Sequence, residues 1–214
     1  NPASLNSRMN NNLSINFSNY FSDIKYGTAA YAYTFNNRGN TLHFGLSYID
    51  YGKFSGYDEQ GNSTNDFTGK ESAFSIGYSS KINYLPIYVG LNLRLITSSL
   101  EQYNSIGIST DIGLLYINSE MNLNIAMVIR NFGTQLKAYN DIYEKLPFEI
   151  DIGVSQLLEN APLRWYLTFE NVQKWNIALS NPSRLTTDLD GNITEEKITF
   201  FNNIFRHLLI GAEL

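Results

Sequence analysis

The sequence predicts an all-β fold, an antiparallel up-and-down transmembrane β-barrel present here as an incomplete fragment of about ten strands. Three observations lead there: period-two alternation over runs of about ten residues, connections that alternate between tight and long, and few charges beside many aromatics. Residues 87–97 read I-Y-V-G-L-N-L-R-L-I-T. Ile87, Val89, Leu91, Leu93 and Leu95 therefore fall on one face of a strand, and Tyr88, Gly90, Asn92 and Arg94 on the other. Residues 121–130 repeat the pattern, with Met121, Leu123, Ile125, Met127 and Ile129 against Asn122, Asn124, Ala126, Val128 and Arg130. A strand of about ten residues has the length a tilted membrane crossing requires.

Taken in order, strands are expected at 13–20, 25–35, 41–51, 72–81, 87–97, 106–117, 121–130, 148–157, 163–171 and 207–214. The links at 36–40 (N-N-R-G-N), 81–86, 118–120 and 158–162 are tight and carry turn residues. Those at 52–69, 98–105, 131–146 and 171–206 are longer, and the two kinds interleave. Short turns on one side and long loops on the other suit an outer-membrane barrel. A soluble β-sandwich also alternates its residues, but nothing in its physics forces that asymmetry. Glycines recur inside the strands, mostly on the polar face (Gly45, Gly77, Gly90, Gly113 and Gly153 among them), where they permit sharp curvature or close approach of another backbone. Aromatics such as Tyr20, Phe21, Tyr48, Tyr51 and Phe54 gather near strand ends, as interfacial girdles do, although β-propensity alone also enriches them. One stretch breaks the pattern. Residues 194–206 set Ile198, Phe201 and Phe205 at helical spacing behind Thr194, Glu195 and Glu196, which predicts a short capped helix inside the last long loop.

Of the 214 residues, 16% are charged and 14% aromatic, and the mean hydropathy is slightly negative. An ordinary soluble domain carries about 25% charge. A net charge of -5 without a basic stripe argues against nucleic acid as a partner. No apolar run is long enough for a transmembrane helix or an intact signal peptide, and the absence of cysteine excludes disulfide and thiolate–metal frameworks. The strands run too evenly for a boundary, so residues 1–214 are read as one barrel domain. The chain opens Asn1-Pro2-Ala3 and stops at Leu214 within an apolar alternation. An unpaired strand in lipid is costly, so an upstream signal and downstream strands are expected beyond this sequence.

Candidates for chemistry are few. His43 and His207, the two histidines, share no metal-ligand spacing. The runs 188–192 and 58–62 faintly resemble calcium loops but fit hairpin tips better. No nucleophile–base pair or phosphate loop is present, so neither enzyme activity nor a cofactor nor a metal is expected. The polar strand faces carry Arg94, Asp111, Arg130, Glu149, Asp151 and Glu170, with Asp111 and Asp151 deepest below the loop side. Alternating signs on neighbouring strands can pair as a lumen charge mesh; any small barrel also fills its interior with such polar groups. In the longest loop, Trp175, Phe200, Phe201 and Phe205 are too apolar for a purely solvated segment. They suit a partner-docking loop, or a cap packed on the barrel rim.

Several segments together resemble the PorQ family of type IX secretion barrels: I-D-Y-G-K-F at 49–54, S-S-L-E-Q-Y-N-S at 98–105, R-N-F-G-T-Q-L-K at 130–137, L-P-F-E-I at 146–150, A-P-L-R at 161–164 and V-Q-K-W at 172–175. The opening Asn1-Pro2-Ala3 is similar to the start of barrels in the wider PorV and FadL-like group. The resemblance runs along the whole chain in order. It implies a bacterial outer-membrane barrel of about fourteen strands, contacting outer-membrane lipid, of which the last four or so would lie beyond this chain. It also implies a non-enzymatic scaffold of the cell-surface attachment complex, with PorV, PorU and PorZ as partners. A FadL-like transporter of hydrophobic compounds is the alternative, and would require a greasy lumen patch and a gap in the wall.

Overall fold

The computed structural model describes residues 1–35, 39–177 and 199–214, together with the backbone of 186–187 and 193–194. Ten strands form one antiparallel sheet in strict sequence order: β1 (Asn12–Asn19), β2 (Lys25–Phe35), β3 (Asn40–Phe54), β4 (Phe67–Lys81), β5 (Ile87–Leu100), β6 (Tyr103–Asn118), β7 (Leu123–Lys137), β8 (Glu149–Leu157), β9 (Arg164–Phe169) and β12 (Leu208–Glu213). Between β9 and β12 lie a two-stranded hairpin, β10 (Thr186–Thr187) with β11 (Ile193–Thr194), and the helix α1 (Phe200–His207). Every hydrogen-bonded neighbour in the large sheet is the next strand along, the up-and-down order expected from the alternation. No described helix is long and apolar enough to cross a membrane, which says nothing about strands.

The two faces of this sheet differ in kind. Leu91, Leu93 and Leu95 remain 41%, 47% and 43% exposed, and Phe74, Ile76, Ile108, Ile112, Leu114, Ile125 and Ile152 on the same face are equally open. The opposite face holds the buried groups, and they are polar: Thr41, Ser79, Ser105, Ser109, Asp111 and Asp151. Among the described residues the only buried apolar side chains are Ala3, Ala32 and Ala138. The register builds this polar face in rows. Thr41, Ser79, Gly90, Gly113, Val128 and Asp151 stand side by side across six strands, and His43, Gly77, Asn92 and Asp111 make the next row.

The first row is mostly small, which leaves room for another layer of backbone. The chain's own start fills it. A 3-10 turn at Pro2–Ser4 lies against β4, β5 and β6. A Cβ on Gly90 would overlap the Pro2 and Ala3 backbone, and one on Gly113 the Asn1 carboxamide. The Asn1 Nδ2 donates to the carbonyls of Leu114 and Met127 at 3.1 and 3.2 Å, and the Ser79 hydroxyl to that of Ala3 at 3.4 Å. The close backbone approach that the strand glycines permit is thus made by residues 1–5.

Several boundaries differ from the sequence reading. β3, β4, β5, β6 and β7 run three to seven residues further on the loop side than expected. The link at 98–105, expected to be long, is a two-residue turn at Glu101 and Gln102, with Leu100 paired to Tyr103. Strict short–long alternation therefore fails there: the ladder continues through polar residues that carry no alternation. α1 begins at Phe200 with Thr199 as its cap, not at Thr194, whose backbone belongs to β11. Glu195, Glu196 and Ile198 lie outside the described residues, as do 36–38 in the N-N-R-G-N turn and 188–192. The tip at 58–62 is a turn as expected. The Asp58 carboxylate accepts the backbone N–H of Gln60 and Asn62 at 3.0 and 2.7 Å and the Asn62 amide at 2.9 Å, and Gly61 takes a positive φ. Those Asn62 hydrogen bonds hold the exposed carboxyl below the usual carboxylate range.

Candidate functional site

The charged residues expected on the polar face form two linked clusters. Arg94 Nη2 meets Asp111 Oδ2 at 2.6 Å, and Arg94 Nη1 donates to Asn131 Oδ1 at 3.1 Å. Asp111 also accepts the Asn92 amide at 3.0 Å and the Asn131 backbone N–H at 3.0 Å. In the second cluster Arg130 Nη2 lies 3.1 Å from Glu149 and in direct contact with Asp151, whose other oxygen accepts the Asn171 backbone N–H at 3.1 Å. The Asp111 and Asp151 side chains are only 9% and 8% exposed. Multiple charge-assisted hydrogen bonds offset the cost of burying them. Glu170, expected in the same mesh, forms no ion pair among the described residues; its backbone carbonyl serves His207 instead.

The two clusters repeat one design that the sequence reading missed. Each central aspartate opens an Asp-Ile-Gly tripeptide (111–113 and 151–153), takes an arginine from the strand before it, and twenty residues later receives the N–H of an asparagine with positive φ. The recurring tripeptide with its distant asparagine was the available signal. At Asn131 this geometry is a β-bulge: Thr110 pairs with Phe132 and Ile112 with Ile129, so Arg130 and Asn131 together face Asp111. Two residues later Gly133 is compulsory, because a Cβ there would run into the Ile108 carbonyl.

Beside the first cluster, a cavity of about 210 Å³ is bounded by Asn1, Leu5, His43, Asn92 and Asp111. The Asn92 Oδ1 is buried without a partner among the described residues. No group of three or more histidine, aspartate or glutamate side chains is placed to hold a metal among the described residues.

A second opening lies between β7 and the segment that precedes β8. β7 pairs with β8 only as far as Arg130 and Glu149. Beyond that point the two segments diverge, and a cleft of about 450 Å³ separates residues 131–134 from 143–148. Phe132 meets Phe148 edge-to-face at 6.2 Å, and the Asn131 amide donates to the Pro147 carbonyl at 2.9 Å, so the cleft is bridged at its base.

The aromatics of the last loop divide by role. His207 is fully buried, with Nδ1 2.6 Å from the Glu170 carbonyl and Nε2 2.9 Å from that of Trp175. Its ring stacks on Phe169 at 5.0 Å and on Trp175 at 5.5 Å, and Trp175 also meets Phe200 at 5.3 Å. Trp175 and Phe200 therefore belong to a clasp that ties α1 to the 170–177 turn. Phe201 and Phe205, one turn apart, stay 67% and 69% exposed. Replacing His207 with Ala is expected to free this turn: backbone amides at 170–177 should exchange faster with solvent, while those of β4–β6 remain protected. Unchanged protection at 170–177 would count against the clasp.

Comparison with protein-family models, with curated proteins and with solved structures found no match to this chain.

Proposed function

We propose that this chain forms the wall of a bacterial outer-membrane β-barrel and works without catalysis, as a scaffold of the cell-surface attachment complex of type IX secretion. One observation carries the membrane half of the reading. A soluble domain of this size buries its leucines, isoleucines and phenylalanines. Here Leu91, Leu93, Ile112 and Leu114 stay open while Asp111, Asp151 and Ser109 are buried. Hydrocarbon around the apolar face makes that arrangement favourable, and water does not. The secretion half rests on the family resemblance and on the length and exposed aromatics of the last loop, which docks a surface protein such as PorZ or PorU.

The test has two arms. The native protein should require detergent for extraction. Shortening 181–195 should leave the barrel folded and inserted yet release its surface partner in a mild-detergent pull-down. Full partner retention would move docking to another loop, with 55–66 next. The cleft between β7 and 143–148 favours one second reading, a FadL-like transporter of hydrophobic compounds. Substrate-dependent uptake by liposomes carrying the protein would select it over the scaffold.

A further inference from the structure

We propose that the cavity bounded by Leu5, His43, Asn92 and Asp111 binds a neutral polyol the size of a monosaccharide, with one hydroxyl seated above Gly77 between Asn92 Oδ1 and His43 Nδ1. Register sets Gly77 between His43 and Asn92 in the second row of the polar face. A Cβ on Gly77 would stand 3.3 Å from Asn92 Oδ1, 3.4 Å from His43 Nδ1 and 3.4 Å from the Leu5 side chain. The glycine therefore leaves one atom's width between two polar atoms, with an apolar wall beside it. The Asn92 amide is fixed in orientation by its Nδ2, which donates to the Asp111 carboxylate at 3.0 Å. Turned over, it would set oxygen against oxygen. Oδ1 is thus a buried acceptor without a partner among the described residues, and it calls for a donor.

The rest of the lining decides what kind of donor. Arg94 pairs with Asp111 at 2.6 Å, so a cation entering the cavity meets a carboxylate already neutralised. A hydroxyl suits the seat better, since it donates to Asn92 Oδ1 and accepts the imidazole proton when that proton is on His43 Nδ1. Ser4, also at the wall, gives its one hydroxyl hydrogen to the Asn1 carbonyl at 2.7 Å, so what it keeps is a lone pair. Acceptors predominate, and a ligand with several hydroxyls engages them while Pro2 and Leu5 cover its carbon skeleton. At about 210 Å³ the cavity exceeds the roughly 10–15 Å³ that one water needs and falls below the roughly 300 Å³ of larger ligand pockets. That range fits one sugar ring. The site lies on the polar face and stands whether or not hydrocarbon covers the opposite one.

Saturation-transfer NMR of the full chain in lauryl dimethylamine oxide, a detergent without sugar, tests this. Glucose, galactose and mannose are the probes, with cyclohexanol and cyclohexylamine as ring-sized controls. At least one hexose should bind, in preference to both controls. Gly77→Ala puts a methyl group in the hydroxyl seat and should weaken that binding about tenfold or more. Gly153→Ala, on the same face with its Cβ in ordinary contact 3.5 Å from Thr168, should leave binding unchanged. His43→Leu should weaken binding, and His43→Gln should restore most of it by supplying an amide donor. Circular dichroism confirms equal strand content in each variant, and the His43 pair decides the matter if Gly77→Ala fails to fold. A wild-type protein that binds none of the three hexoses overturns the proposal, as does undiminished binding to Gly77→Ala. Preference for cyclohexylamine overturns it in favour of a cationic ligand.

Discussion

Replacing Arg130 with Met is expected to cost about 3 kcal/mol of stability, the lower end of what breaking a buried ion pair costs. The guanidinium is shared between Glu149 and Asp151, and the two carboxylates do not suffer equally. The Glu149 side chain is 33% exposed and the Arg130 side chain 43%, so water replaces most of what Glu149 loses. Asp151 is 8% exposed and keeps only the Asn171 N–H. Its charge is the one left stranded. Lys53→Met is the reference, since Lys53 is exposed and surface changes usually stay within about 0.5 kcal/mol. Adding Asp151→Asn to Arg130→Met should restore much of the loss by removing the unpaired charge. Urea midpoints measured in the same detergent decide the matter. Equal midpoints for Arg130→Met and Lys53→Met would remove the charge mesh from the account of stability.

How much of this could be read from the sequence depends on the range over which each signal acts. Period-two alternation is local, and it located all ten strands of the sheet. It fades where both faces turn polar, as at Thr97, Ser98 and Ser99, so β5 and β6 run on into what looked like loop. The helix was legible from Phe201 and Phe205, but its cap was expected at Thr194 and stands at Thr199, because the residues around Thr194 pair as a hairpin instead. Pairing of Arg94 with Asp111 and Arg130 with Glu149 follows from register, which hairpin connectivity fixes. Contact of Arg130 with Asp151 is the diagonal of that same register, whereas the asparagine amides on both aspartates depend on left-handed backbone at Asn131 and Asn171. One extra residue in a strand leaves no periodic trace. His207 was passed over for a similar reason: its partners are backbone carbonyls more than thirty residues away, with no side-chain spacing to betray them. The glycines foretold a close approach on the polar face but not that residues 1–5 would make it.

The exposed face yields the sharpest test of the membrane reading, through Leu93→Arg. Leu93 stands in the middle of β5, paired with Ile76 on one side and Thr110 on the other, and is 47% exposed. In water, an arginine at such a position changes stability by no more than about 0.5 kcal/mol, because its charge stays solvated and its stem covers the neighbours. In a bilayer the same side chain near the midplane costs about 2–4 kcal/mol, as no headgroup or water lies within easy reach. The two environments therefore predict different numbers for one substitution. Leu100→Arg, at the loop end of the same strand, is the internal control, since the cost falls to about 0–1 kcal/mol near the interface. Refolding both variants into liposomes and comparing their urea midpoints with wild type should show a large loss for Leu93→Arg and a small one for Leu100→Arg. Two small losses would mean that hydrocarbon does not surround β5, and the apolar face would then need a protein partner to cover it.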